Sequence, residues 1–92
     1  MSDSSRWQVA IHRKAEKVLK RLSGETLGRL SQAIRSLADN PRPDGVKKLV
    51  GYKNLYRVRV GAWRIIYAIE DEKLIVLVLE VSPRGGAYRE LR

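Results

Sequence analysis

The chain has 92 residues, 43% of them hydrophobic, which is enough for one small globular domain. It contains no cysteine and a single histidine, which excludes disulfide and thiolate chemistry and argues against a zinc site. Nineteen Lys and Arg against ten Asp and Glu give a net charge of +9, so nucleic acid, an anionic surface or an acidic protein is the expected partner.

The sequence has no recognisable membrane or targeting segment. No apolar run reaches transmembrane length, and residues 1–5 are polar, unlike the start of a signal peptide. We therefore expect one domain over residues 1–92 with a flexible tail at 1–5. We also expect a cytoplasmic protein with no membrane partner.

The first half of the chain predicts a strand followed by two helices. Trp7, Val9 and Ile11 occupy alternate positions, which is typical of a strand. His12 follows, and we expect it to cap the next helix or lie on the surface. The apolar spacing then becomes helical on both sides of Ser23-Gly24, at Ala15, Val18, Leu19 and Leu22 and then at Leu27, Leu30, Ile34 and Leu37. The short connection predicts an antiparallel helical hairpin, with Lys14, Lys17 and Lys20 on a solvated face.

Residues 46–54 form a basic segment that precedes the second half of the chain. The segment carries Lys47, Lys48 and Lys53, and it lacks the alternation of a strand or the spacing of a helix. We expect an irregular segment in which Leu49 packs into the core.

The clearest pattern is a pair of alternating runs, 55–60 and 63–67, on either side of Gly61-Ala62. A two-residue connection with Gly first predicts a β-hairpin with a type II′ turn. Val60 then pairs with Trp63, Arg59 with Arg64 and Arg57 with Ile66. The apolar face of the hairpin carries Tyr56, Val58, Val60, Trp63, Ile65 and Tyr67, which we expect in the core. The three arginines lie on the other face, and because opposed like charges are destabilising, an anionic partner is the simplest explanation.

The last predicted strand, residues 74–81, is almost continuously apolar and ends before Pro83. The element order β-α-α-β-β-β predicts an α+β fold, with the helical hairpin packed on one face of a small, mainly antiparallel sheet. The other face, which holds the arginines, is then partly open. If Ile69 and Leu74 close the last turn, Arg64 lies beside Leu79, and Arg84 and Tyr88 emerge near Arg59 and Arg64.

Three features carry a family resemblance: the segment Leu-Tyr-Arg-Val-Arg-Val-Gly-Ala-Trp-Arg-Ile-Ile-Tyr at 55–67, the Val-Leu-Glu-Val strand, and Arg84 and Tyr88 near the C-terminus. In these features the sequence resembles the RelE branch of the RelE/ParE toxin superfamily. The resemblance implies the RelE-like microbial RNase toxin fold. It also implies a toxin of a type II toxin–antitoxin system that cleaves messenger RNA in the ribosomal decoding site without metal or other cofactor. The implied partners are an antitoxin with an acidic or apolar segment, the ribosome with its mRNA, and operator DNA through the antitoxin complex alone.

The catalytic positions of that branch match five residues here: Arg57, Arg59, Arg64, Arg84 and Tyr88. In metal-free cleavage the 2′-hydroxyl attacks the phosphorus, so the site needs a base, positive charge for the phosphorane and an acid for the leaving oxygen. Arginine suits the phosphorane but is a poor base. We therefore assign Arg59 and Arg64 to the phosphate, Arg84 to the leaving side and Tyr88 to the base, with Lys47, Lys48 and Lys53 as RNA contacts.

Two other functions fit the same residues. A ParE-like DNA gyrase inhibitor is the first, favoured by Pro83 where many RelE-branch members carry His or Lys. The second is a catalytically decayed toxin whose basic face holds only its antitoxin. Tyr88 would then simply pack the tail onto the sheet.

Overall fold

The computed structural model describes residues 7–83, so the predicted tail at 1–5 and the site residues Arg84 and Tyr88 lie outside the described residues. Within residues 7–83, no helix is long and apolar enough to cross a membrane.

Two helices pack on a five-stranded sheet in the described part of the chain. The elements are β1 (Gln8–Ile11), α1 (Arg13–Arg21), α2 (Gly24–Ser36), β2 (Lys47–Lys48), β3 (Leu55–Val60), β4 (Trp63–Glu70) and β5 (Ile75–Pro83). The strand order is β1-β5-β4-β3-β2, in which β1 runs parallel to β5 and the other neighbours are antiparallel. The predicted α+β class with a mainly antiparallel sheet is confirmed.

The main core lies between the helices and one face of the sheet. Ala15 of α1 and Leu30 of α2 are buried against Tyr67 and Val78. His12 caps α1, because its Nδ1 accepts a hydrogen bond of 3.1 Å from the backbone N–H of Lys14. The sequence-based expectation of a capping histidine is therefore confirmed.

A second, smaller apolar cluster lies on the opposite face of the sheet. Leu49 and Ile66 are buried there and pack with Leu55. Side chains alternate along β4, so Ile66 points away from the core that contains Ile65 and Tyr67. Leu49 packs in the interior as predicted, but on the side of the sheet away from the helices.

The predicted β3–β4 hairpin is confirmed residue by residue. Val60 pairs with Trp63, Arg59 with Arg64 and Arg57 with Ile66. Gly61 has φ +61°, whereas Ala62 is absent from the positive-φ residues of the described chain. Positive φ at the first turn position alone is the signature of a type II′ turn.

The predicted register of the last strand is wrong. Glu70, not Ile69, closes the turn by pairing with Ile75, and Arg64 pairs with Ser82 instead of Leu79. The connection keeps the expected four residues but is displaced by one, because a 3₁₀ turn at Asp71–Lys73 is followed by Leu74 in the left-handed region (φ +55°). An irregularity between Ile66 and Tyr67 then adds one further residue on the β5 side.

The basic segment at residues 46–54 is also more ordered than predicted. Lys47 and Lys48 form the short strand β2, which pairs with Arg57 and Tyr56 of β3. Two residues, both of them exposed lysines, carry no detectable periodicity, so the pattern of the sequence could not indicate this strand.

Candidate nucleic-acid interface

The face of the sheet opposite the helices carries a basic cluster, called here the arginine face. Its cations are Lys47, Arg57, Arg59 and Arg64, contributed by three neighbouring strands. Directly paired residues of antiparallel strands share a face, and the pairs Lys47–Arg57 and Arg59–Arg64 are both like-charged. Such pairs oppose folding unless the charges are compensated.

The arginines differ in burial, which corrects the expectation of an open face. Arg57 and Arg64 are 8% and 4% exposed, whereas Arg59 is exposed. Arg57 has strands on both sides, since β2 pairs with it on one side and β4 on the other. β2 ends before it reaches Arg59, which leaves that side chain accessible. Arg59 is therefore the most accessible arginine of the arginine face, whereas Arg57 and Arg64 are buried beside it.

Sequence analysis missed one member of the arginine face, Glu80. The register places Glu80 opposite Ile66 and two residues from Ser82, the partner of Arg64. Its carboxylate is 4% exposed and lies 3.5 Å from the Lys14 ammonium. It also accepts a 3.3 Å hydrogen bond from the Ser82 hydroxyl. The only sequence signal was a lone charge in an apolar run, Leu77-Val78-Leu79-Glu80-Val81.

Lys14 is exposed on α1 as predicted, but it also has a role that the sequence did not indicate. It reaches from the first turn of the helix to Glu80 on β5, so it helps to neutralise the one carboxylate of the arginine face within the described residues. Lys17 and Lys20 are exposed as predicted.

The three lysines predicted to contact RNA do not form one group. Lys47 lies on the arginine face through its pairing with Arg57. Lys48 pairs with Tyr56, and alternation along the strand directs it to the other face. Lys53 is exposed in the connection between β2 and β3.

The resolved pKa shifts lie away from the arginine face, where the segment after α2 meets the β4–β5 turn. Arg42 makes two hydrogen bonds to Asp71, of 2.9 and 3.2 Å, which raise the pKa of Arg42 and lower the pKa of the Asp71 carboxyl. Arg42 also lies 5.3 Å from the ring centre of Tyr56, and Tyr56 stacks on Tyr67. Burial raises the pKa of Tyr67, whose hydroxyl donates a 2.8 Å hydrogen bond to the carbonyl of Pro41. This cluster fixes the loop to the sheet and is structural.

Comparison with known proteins identifies the family. Residues 9–88 match the family model described as the ParE toxin of the type II toxin–antitoxin system parDE. The RelE1 protein of Methanocaldococcus jannaschii is 33% identical over 87 residues, which cover 91% of this chain and 97% of that protein. The chain belongs to the RelE/ParE toxin family.

Solved structures of RelE proteins share the fold. RelE in the archaeal RelE–RelB complex from Pyrococcus horikoshii aligns with a TM-score of 0.77 and 31% identity, covering 88% of this chain and 98% of that one. The toxin–antitoxin complex RelBE2 of Mycobacterium tuberculosis gives a TM-score of 0.74 and 25% identity, covering 85% and 98%. The predicted membership is confirmed, and the chain is a RelE-like toxin of a type II toxin–antitoxin system.

In this RelE/ParE toxin the sheet brings three of the five predicted catalytic residues together: Arg57, Arg59 and Arg64. Arg84 follows directly after Pro83, which pairs with Trp63 beside the hairpin turn. The last strand therefore ends near the Gly61 turn, as predicted. Arg84 and Tyr88 themselves lie outside the described residues, so their catalytic roles stay predictions.

Proposed function

We propose that this toxin is a ribosome-dependent, metal-independent endoribonuclease that cleaves mRNA in the decoding site. The observation that carries the proposal is the arginine face, where four cations form two like-charged cross-strand pairs. A folded domain with such like-charged pairs gains stability when an anion binds between the charges. The similarity of the chain to RelE proteins makes a phosphodiester of RNA the favoured anion.

The chemistry follows from the residue types. The 2′-hydroxyl loses its proton and attacks the adjacent phosphorus, and the 5′-oxygen leaves with a proton, so the products are a 2′,3′-cyclic phosphate and a 5′-hydroxyl. Arg59 and Arg64 stabilise the phosphorane, because guanidinium groups stay charged and grip two oxygens at once. A low local dielectric around Arg64 strengthens its attraction for the phosphorane. Tyr88 is the proposed base and Arg84 the proposed partner of the leaving oxygen.

The variant Arg64→Ala tests this assignment. Loss of one electrostatic contact to a transition state typically lowers turnover by about 10²–10³-fold, so induced expression of the variant should no longer arrest growth. Arg35→Ala is the matched control, because Arg35 is an exposed arginine in the last turn of α2. Full toxicity of a folded Arg64→Ala protein would contradict the assignment.

A second candidate function, inhibition of DNA gyrase, is favoured by one observation. The matching family model is described as a ParE toxin, and Pro83 stands where many RelE-branch members carry a basic residue. A gyrase inhibitor would block supercoiling of relaxed plasmid and leave ribosome-bound mRNA intact. The two functions are therefore separable with one purified protein in two assays.

We also propose that an antitoxin covers the free edge of β5. β1 pairs with β5 only as far as Val78, and no other strand within residues 7–83 pairs with that side of β5 from Leu79 to Pro83. An apolar groove with Lys14 and Arg21 on its lining runs along this edge beside Val18 and Trp63. An extended antitoxin segment with apolar and acidic side chains fits both the edge and the groove. Co-expression of such an antitoxin should abolish the growth arrest.

A further inference from the structure

The connection between β2 and β3, residues 49–54, displays two large apolar side chains to solvent. Val50 is 94% exposed, the highest value of any large hydrophobic residue in the described chain, and Tyr52 is 41% exposed. We call this segment the β2–β3 loop. Neither Val50 nor Tyr52 belongs to the two apolar clusters of the sheet.

Both ends of the β2–β3 loop are fixed to the sheet. Leu49 is buried with Ile66, and its backbone N–H donates a 2.9 Å hydrogen bond to the carbonyl of Leu55. At the other end the Asn54 amide donates hydrogen bonds to Glu70 at 2.9 Å and to the Ile69 carbonyl at 3.3 Å. Gly51, with φ +89°, permits the tight reversal between these anchors. The backbone of the loop is therefore fixed at both ends, with Val50 and Tyr52 between the two anchors.

The position and charge of the loop indicate what it contacts. It begins beside the arginine face, because Lys47 of β2 pairs with Arg57. Lys47 precedes the loop on the arginine face and Lys53 lies within the loop, and both lysines are exposed. Cations interleaved with an exposed aromatic ring are typical of surfaces that bind single-stranded nucleic acid, where lysines hold phosphates and the ring stacks on a base. An acidic peptide would use the lysines but would leave the aromatic ring without a matching partner.

We propose that the β2–β3 loop, at the Arg57 end of the arginine face, binds a nucleotide of the same single-stranded RNA whose phosphate is held on that face. Tyr52 stacks on the base, Val50 contacts its apolar surface, and Lys47 and Lys53 hold the flanking phosphates. This inference rests on the proposed function, since it places a substrate nucleotide beside the same site. The loop then contributes to the choice of cleavage position, because bases differ in stacking strength.

The test measures binding of a fluorescein-labelled, mixed-sequence single-stranded RNA of eight nucleotides to the whole protein by anisotropy. Tyr52→Ala should weaken binding about 10-fold, because stacking on one base contributes that much, and Tyr52→Trp should stay within about 2-fold of wild type. Leu74→Asn is the control, since it removes an exposed apolar side chain elsewhere at a residue with φ +55°, where Asn is tolerated. Wild-type affinity in Tyr52→Ala would overturn the proposal.

Cleavage on programmed ribosomes separates this proposal from the proposed function. If wild type cuts mRNA and Tyr52→Ala cuts the same positions at the same rate, the loop inference fails and the nuclease function stands. If wild type does not cut but binds RNA in a Tyr52-dependent way, the nuclease function fails and the loop remains an RNA contact. Loss of antitoxin binding in Tyr52→Ala with unchanged RNA affinity would identify a protein-docking loop and refute the proposal.

Discussion

The buried carboxylate of Glu80 gives the sharpest prediction about the stability of the site. Its Oε1 lies 3.5 Å from Lys14 Nζ, and its Oε2 accepts the Ser82 hydroxyl. Glu80→Gln keeps the size and shape of the side chain but removes the charge. The ion pair between Lys14 and Glu80 is then lost, and the cations of the arginine face lose the carboxylate beside them.

The magnitude follows from the distance and the exposure of the pair. At 3.5 Å two unit charges interact by about 5 kcal/mol with an effective dielectric of 20 and by about 1 kcal/mol in water. The Lys14 side chain is 52% exposed, so solvent screens much of the attraction. We therefore expect Glu80→Gln to lower the free energy of unfolding by about 1–2 kcal/mol.

Urea denaturation of four proteins tests this expectation: wild type, Glu80→Gln, Lys14→Gln and the double variant. The double-mutant cycle should give a coupling energy of about 1 kcal/mol between the two charges. Lys17→Gln serves as the control because Lys17 is an exposed lysine of the same helix, and it should change stability by less than about 0.5 kcal/mol. A Glu80→Gln protein as stable as wild type, or a coupling near zero, would refute the reasoning.

Two predictions concern pH. The folded-state pKa of Asp71 is lowered by Arg42, so its contribution to stability is present above about pH 4 and is lost as the pH falls further. The melting temperatures of wild type and Asp71→Asn should therefore differ at pH 6 and converge near pH 2, and a constant difference would contradict the ion pair. Burial raises the pKa of Tyr67, so its contribution is complete below about pH 10 and declines as the pH rises. At pH 7 the variant Tyr67→Phe should have a free energy of unfolding about 1 kcal/mol lower than wild type, because it lacks the hydrogen bond to Pro41. When the pH is raised to 11, the variant should lose less additional stability than wild type, because it has no phenol to ionise.

The β3–β4 hairpin was predictable because its register is set locally. A two-residue turn that begins with Gly leaves one pairing that keeps Tyr56, Val58 and Trp63 on the core side. The register between β3 and β4 is therefore determined without contacts from the rest of the chain. The arginine face follows directly from that pairing.

The β4–β5 pairing was not predictable in the same way. No composition rule indicates that Leu74 adopts a left-handed conformation or that an extra residue enters β5 after Val78. A continuously apolar strand also tolerates several registers, since a shift of two residues leaves the same types of side chain on each face. The sequence therefore predicts Glu80 only as part of a buried strand, and the register of the folded sheet is what places it on the same face as Arg64.

The burial of Arg57 depends on a neighbour that is distant in sequence and carries no periodic signal. The two-residue strand β2 covers Arg57 and stops short of Arg59. The alternation of the hairpin predicts the same exposure for all three arginines of this face, but in the folded sheet one is accessible and two are buried. Only the strand order of the sheet determines that division.

Primer extension on mRNA in programmed ribosomes tests the central claim most directly. We expect wild-type protein to produce discrete cuts inside the decoding-site codon, none when ribosomes are omitted, and at least about 100-fold fewer with Arg64→Ala. Arg35→Ala should cut like wild type. Intact mRNA in the presence of a folded wild-type protein that still arrests growth would contradict the nuclease function and favour gyrase as the target.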